Sequence, residues 1–354
     1  MDKKWLIYGA NGYTARQIVY KAVEKGLRPI LAGRNAQKIC NFSQETKLSC
    51  RIFDLKSPIK DEFLNDIYLV VNCAGPFSQT AQPLLEACYR TKTHYIDVSG
   101  ELKSFEDIFA NAGVWQHRGL TVIPGSGFDV VPSDCLAAFL KNKLPDATSL
   151  TIGIKINGTR PSHGTLRSLA EAIALGGKIR LDGKLKKVPN AWKTKLIPFS
   201  DQSSLSVSMP LAELSSCWHS TRIPNIQTFF SVKTKELRYI KMSRLTRPLL
   251  FIPLVLEWVK KQIGVIYEAP HPRILQKGSA VVWGEVRNAH GKAKSLRLKT
   301  DEAYHFTAQS TLCIAQKILA GDIDAGVYSP SMALGPEFIL NLDRVSVEDI
   351  IPVQ

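Results

Sequence analysis

At 354 residues and 45% hydrophobic composition, the chain has material for large cores and for two domains more readily than one or three. Seven cysteines, at 40, 50, 73, 88, 135, 217 and 313, are odd in number and form no C-x-x-C pair, which excludes a disulfide framework and a zinc cluster and fits a reducing cytoplasm. The net charge of +15 is uneven, because residues 151–300 alone carry 26 basic and 8 acidic groups, a field that attracts anions.

The first element is a short apolar run, Trp5-Leu6-Ile7-Tyr8, which passes directly into Gly9-Ala10-Asn11-Gly12-Tyr13-Thr14-Ala15. An amphipathic stretch through Ile18, Val19, Ala22 and Val23 follows and ends at Gly26. Strand, glycine turn and helix in this order predict a dinucleotide site. Gly9 allows the sharp turn, Gly12 keeps no side chain between pyrophosphate and backbone, and the small Ala15 lets the helix pack close. The N–H groups that open the helix then face the phosphates.

A second strand, Pro29-Ile30-Leu31-Ala32, leads to Gly33-Arg34-Asn35. An NAD-selective unit places an acid here for the ribose 2′-hydroxyl, whereas an arginine holds a 2′-phosphate through forked, charge-assisted hydrogen bonds. Arg34 therefore predicts NADP(H) rather than NAD. The third strand, Cys50–Leu55, brings Asp54 and Leu55 beside the adenine. The fourth, Tyr68–Asn72, is nearly all apolar, as a parallel strand covered on both faces is. It empties into Cys73-Ala74-Gly75-Pro76-Phe77, expected at the nicotinamide side.

A helix over Ala81–Tyr89 leads to a fifth strand, His94–Val98, and then to Ser99-Gly100-Glu101, whose Ser99 and Gly100 are further cofactor candidates. A sixth strand, Leu120–Ile123, ends in Pro124-Gly125-Ser126-Gly127-Phe128-Asp129. Strands alternating with helices at this spacing predict a doubly wound parallel sheet, with every polar cluster at a strand's C-terminal end. Past Pro132 the pattern changes. After a helix over Asp134–Asn142, half-exposed strands at 150–156, 205–209 and 227–232, and a pair at 280–287 and 295–299, predict an antiparallel sheet in a second α+β domain. Residues 303–320 read as one long helix.

With Tyr8–Thr14, Ala32–Asn35, Asn72–Phe77, Tyr95–Glu101 and Gly127–Asp129 in this order, the chain resembles the saccharopine dehydrogenase-like family. Gly158-Thr159, Ser162, Gly164-Thr165, Ser168, Glu171 and the tail Tyr328–Gly335 resemble the branch that includes trans-acting enoyl reductases. The resemblance implies a Rossmann NADP-binding domain over 1–133, a substrate or dimerisation domain over 134–325, and a segment over 326–354 that returns to the first. It also implies hydride transfer to or from an acyl, enoyl or carrier-linked substrate in lipid metabolism. The alternatives are saccharopine-type C=N oxidoreduction, for which Arg160, Arg167, Arg180 and Arg222 are available, and a non-catalytic NADP-binding protein of a lipid surface.

Hydride transfer leaves a proton to be supplied at the other end of the reduced bond, and Tyr95, Asp129 and His163 are the candidates. The histidines show no ligand spacing and no G-x-S-x-G turn occurs, so neither a metal nor a serine nucleophile is expected. Nucleic acid is not an expected partner, since no such motif accompanies the basic field. No signal peptide and no spanning helix are expected. The run Leu249–Val259, within 245–261 and flanked by basic residues, has three readings: contact with an anionic membrane, a dimer interface, or core. A cytoplasmic homodimer, joined through the second-domain sheet or peripheral to a membrane, completes the expectation.

Overall fold

The computed structural model describes residues 3–235, 237–242, 252–267 and 277–350. The chain divides into two compact units, one built from Met1–Val131 and Tyr304–Gly335, the other from Pro132–Ala269, Gln276–Ala303 and Pro336–Gln354.

The first unit runs β1 (Trp5–Tyr8), α1 (Tyr13–Glu24), β2 (Ile30–Gly33), α2 (Ala36–Thr46), β3 (Cys50–Ile52), β4 (Leu69–Asn72), α3 (Phe77–Thr91), β5 (His94–Asp97), α4 (Leu102–Ala110), α5 (Ala112–His117) and β6 (Thr121–Ile123). All strands pair in parallel in the order β3-β2-β1-β4-β5-β6, and a late strand, Gly326–Val327, joins the β6 edge. The winding reverses between β1 and β4, where Tyr8 stands opposite Asn72, so the glycine turn and the Cys73–Phe77 loop leave the sheet side by side. The central strands β1, β2 and β4 are almost wholly apolar because both faces are covered. Leu6, Tyr8, Val70, Tyr95 and Val122 share one cluster with Leu84, Leu85 and Cys88 of α3, while the alternate residues Ile7, Leu31, Val71 and Ile96 are equally buried. Each such aliphatic side chain contributes about 1.5–3 kcal/mol.

The second unit contains α6 (Val131–Lys143), β7 (Ala147–Asn157), α7 (His163–Leu175), β8 (Gly177–Leu181), β9 (Lys184–Val188), β10 (Thr194–Ile197), β11 (Ser204–Ser208), α8 (Glu213–Thr221), β12 (Asn225–Ser231), α9 (Pro253–Ile266), β13 (Ser279–Asn288) and β14 (Ala293–Asp301). Its main sheet has the order β10-β11-β12-β7-β13-β14, closed by Ser346–Ile350, with the β8–β9 hairpin attached to β12.

Two expectations need correction. The second sheet is mixed rather than antiparallel, because β12 runs parallel to β7, with Ile226 opposite Leu150. Alternating polarity reports that one face is covered and says nothing of direction; the long excursion between β7 and β12 lets the chain re-enter in the same sense. The tail also divides: the helix Ala303–Ala320 and Gly326–Val327 lie almost wholly with the first unit, whereas Ser346–Ile350 pairs with β14 in the second, Val347 opposite Leu298. Among the described residues, no helix is long and apolar enough to cross a membrane.

Candidate functional site

The glycine turn is held from below and open above. Gly9 has φ +76°, and a Cβ there would lie 2.9 Å from Cβ of Ala74, so only glycine lets the β1 turn press against the loop after β4. Gly12 differs. Its φ of −70° suits any residue, and an added Cβ would meet only the Gly9 carbonyl oxygen, at 3.2 Å. Protein packing thus asks little of Gly12, and the space above it is free for a ligand. Helix α1 starts at Tyr13 with no side-chain cap and no acid in its first turn. The neighbouring α2 is capped by Asn35, whose Oδ1 accepts from Lys38 N at 2.9 Å, and α3 by Glu101, whose carboxylate accepts from Phe77 N at 3.0 Å and Ser78 N at 2.9 Å. Of these three helix starts at the carboxyl edge, α1 is the one left to an anion. Tyr13, Thr14 and Asn11 are partly accessible around this opening, and Tyr304 packs edge-on against Tyr13.

Arg34, expected at the adenosine, is exposed immediately after β2 and has no ion pair among the described residues. Asp54 is exposed after β3, with its Oδ1 accepting from Lys56 N at 2.7 Å. Both charges act on Tyr8, whose hydroxyl donates to the Phe53 carbonyl at 3.3 Å: burial and then Asp54 push its pKa up to about 12, and Arg34 opposes them. Asn35 serves as a helix cap, and Leu55 packs against the core cluster.

After β4 a buried polar chain fixes the loop expected at the nicotinamide. Asn72 accepts from Ala74 N at 3.0 Å through Oδ1, and its Nδ2 donates to Thr80 Oγ1 and Tyr95 Oη, both at 3.1 Å. Thr80 Oγ1 donates to the Ala74 carbonyl at 2.5 Å. Tyr95 donates in turn to Asp97 Oδ2 at 2.9 Å, and Asp97 Oδ1 accepts from Ser99 N and Gly125 N, each at 2.9 Å. Burial raises Asp97 to about 6 despite those two amide donors. The Cys73 thiol is pushed up by burial and by Asp97, which makes it an inert wall rather than a nucleophile. Cys73, Ala74 and Pro76 are partly accessible, Gly75 exposed and Phe77 buried.

Of the proton-donor candidates, Tyr95 is fully buried, its hydroxyl engaged on both sides and its pKa raised well above the ordinary value by burial and Asp97. It is corrected to an anchor that holds Asn72 and Asp97 in register. Asp129 is reached by solvent and lies over the Ser99–Gly100 turn, where a Cβ on Gly100 would sit 2.8 Å from Cβ of Asp129. Crowding by surrounding atoms, with the Glu101 carboxylate second, raises it to about 6. A carboxyl group poised there can hold a proton near neutral pH and release it. His163 belongs to the second unit, at the start of α7, with Nε2 2.7 Å from the Tyr267 carbonyl oxygen. Asn72, Asp97 and Glu101 carry the architecture, yet pattern reading assigned them no role. For Asn72 and Asp97 the sequence signal was a polar residue ending an otherwise largely apolar strand. Among the described residues, no cluster of His, Cys, Asp and Glu could hold a metal.

Residues 5–123 match the family model described as the saccharopine dehydrogenase NADP binding domain. The protein named saccharopine dehydrogenase-like oxidoreductase from Mus musculus is 28% identical over 194 residues, covering 52% of this chain and 42% of its own. Its Bos taurus counterpart is 25% identical over 224 residues, covering 54% of this chain and 50% of its own. The chain thus spans about half the length of these curated relatives. A Mycobacterium leprae protein named trans-acting enoyl reductase is 29% identical over 145 residues, covering 36% of this chain and 33% of its own. Among solved structures, apo saccharopine dehydrogenase (L-Glu forming) from Saccharomyces cerevisiae superposes with a TM-score of 0.67 at 12% identity, covering 99% of this chain and all of that one, which establishes the shared fold. Residues 5–123 are thus similar to the saccharopine dehydrogenase NADP binding domain, and the chain is similar to the saccharopine dehydrogenase-like oxidoreductases.

Proposed function

We propose that the chain is an NADP-dependent oxidoreductase that transfers a hydride to or from an acyl or enoyl substrate, carrier-linked and anionic. The observation that carries the cofactor is the free space over Gly12 at an uncapped helix start, with Arg34, which has no ion pair among the described residues, just past the next strand. When bound, the cofactor supplies the hydride. The chain supplies the rest: the N–H groups that open α1 would hold the phosphates, Arg34 would clamp the 2′-phosphate, and the Asn72–Tyr95–Asp97 chain fixes the Cys73–Phe77 wall. Asp129 donates the proton that completes an enoyl or carbonyl reduction. The resemblance of the 158–171 and 328–335 motifs to trans-acting enoyl reductases favours an acyl carrier-linked substrate over an amino-dicarboxylate, and the basic charge of the middle region suits either anion. The second-domain sheet, whose polar depression is lined by Thr151, Lys193, Gln227 and Arg287, is the contact we assign to a homodimer in the cytoplasm.

The test offers NADPH deuterated at C4 with enoyl thioesters, keto thioesters and a cyclic imine in parallel. Deuterium at the β carbon of a saturated thioester supports the reading, and a kcat loss on the order of 100-fold for Asp129→Asn with KM little changed supports its acid. Reduction of the imine alone would replace the substrate assignment. Cofactor binding without transfer to any of them would make the chain a sensor.

A further inference from the structure

The second unit carries an exposed apolar ridge that the proposed chemistry does not use. On α9, Leu254 is 83% exposed, Trp258 61% and Val265 76%, and their spacing of four and seven residues sets them on one stripe of the helix; Ile266, at the C-terminal end, is 80% exposed. The opposite side is tied down: Lys260 is buried and donates to the Glu171 carboxylate of α7 and, at 2.9 Å, to Glu257, while Arg167 Nε donates to the Lys260 carbonyl at 3.3 Å. Burial works against the Lys260 charge, and the two carboxylates more than offset it, raising its pKa. The stripe therefore stands outward on a helix that is anchored from behind. Residues 249–251 of the apolar run lie outside the described residues.

Contiguous with this helix pair is a cluster of unneutralised charge. Helix α7 ends at Leu175, exposed like Leu169, and β8 begins two residues later; Asn190 Nδ2 ties the hairpin's exit back to the Ile173 carbonyl at 2.9 Å. The hairpin carries Lys178, Lys184, Lys186 and Lys187, none with an ion pair among the described residues. Lys178 stands directly opposite Lys187 across the strands, a like-charge pair that is destabilising by itself and relieved by an anion.

We propose that the α7–α9 pair and the β8–β9 hairpin form a docking surface for an anionic lipid membrane, with Leu254, Trp258 and Val265 entering the headgroup region and the hairpin lysines contacting lipid phosphates. Charge decides the occupant. A two-fold contact with a second copy would set the same patch against itself and bring unpaired lysines together. A lipid surface accepts a convex ridge, offers negative charge everywhere, and suits a tryptophan flanked by lysines. The proposal is independent of the catalytic reading.

The full chain is sedimented with vesicles of pure phosphatidylcholine and with vesicles containing 30% phosphatidylserine, in low and high salt. Binding to the anionic vesicles at least tenfold stronger than to the neutral ones, weakened by salt, is the expected result. L254S/W258S/V265S and, separately, K184Q/K186Q/K187Q each reduce it at least tenfold, with circular dichroism and melting unchanged because these residues are exposed. An unaltered chain that stays in the supernatant at low salt overturns the proposal. So does a dimer in sedimentation velocity that the triple serine variant converts to monomer while vesicle binding is absent. Vesicle binding untouched by either variant shows that another surface is responsible and also overturns it.

Discussion

Gly12 separates a ligand site from a mere turn. Its backbone is ordinary and its missing side chain leaves room over α1, so Gly12→Val is expected to fold, at a cost on the order of 1 kcal/mol from the 3.2 Å approach to the Gly9 oxygen. The valine would fill the space where phosphate meets backbone, and cofactor affinity falls by on the order of 100-fold, about 2.7 kcal/mol. Circular dichroism and a fluorescence titration read the two effects separately; native affinity in the folded variant contradicts the site. Gly9 behaves oppositely. With φ +76° and Ala74 against it, any side chain there disturbs the fold itself.

At the level of elements, the loop after β4 is held by Asn72 as well as by its own glycine and proline. Asn72→Ala removes one acceptor and two donor contacts from a fully buried position, leaving Ala74 N without its Oδ1 acceptor. We expect a loss of about 2–4 kcal/mol in urea unfolding, together with weaker cofactor binding because the 73–77 wall loosens. A destabilised variant with unaltered affinity would show that the wall takes no part in binding.

The same elements show what could be read from the sequence. Strand, glycine turn and helix were legible because Gly9, Gly12 and Ala15 sit at fixed offsets within an apolar pattern, and the parallel order followed from the alternation of strands and helices. Two strand pairings were not legible. The β7–β12 parallel pair depends on where a long excursion returns, and Ser346–Ile350 joins a sheet whose other strands lie far upstream. The β8–β9 hairpin carried a turn signal, Asp182-Gly183, with φ of +51° and +74°, that the lysine-rich composition around it masked. Tyr95 reads as a proton donor from its motif and as an anchor once its burial is known, since periodicity does not say which neighbours meet a buried hydroxyl.

For the whole molecule, the buried Asp97 links stability to pH. Its folded pKa of about 6 stands above the ordinary aspartate value of 3.8, so the folded state holds the proton more tightly than the unfolded chain does. The contribution is fully present below about pH 4 and is lost as pH rises through 6, to an extent of about 3 kcal/mol. Asp129 adds in the same direction, less strongly because solvent reaches it. Asp66, held well below the usual carboxylate range by its hydrogen bond to Arg51, works in the opposite sense at lower pH, so the comparison is between the native chain and Asp97→Asn. Urea unfolding at pH 4, 5, 6 and 7 should show the native chain losing ground to the variant across that range. Parallel curves would place Asp97's proton elsewhere.

The proposed function requires a phosphate-bearing dinucleotide at the carboxyl edge of the first sheet, held by Arg34. The most direct measurement is a paired fluorescence titration of NADPH and NADH against the native chain and Arg34→Ala. A forked guanidinium–phosphate contact is lost in the variant, so NADPH should bind the native chain at least tenfold tighter than NADH, and Arg34→Ala should bring the two affinities together by weakening NADPH alone. Equal affinities in the native chain, or a preference that survives the loss of Arg34, would contradict it.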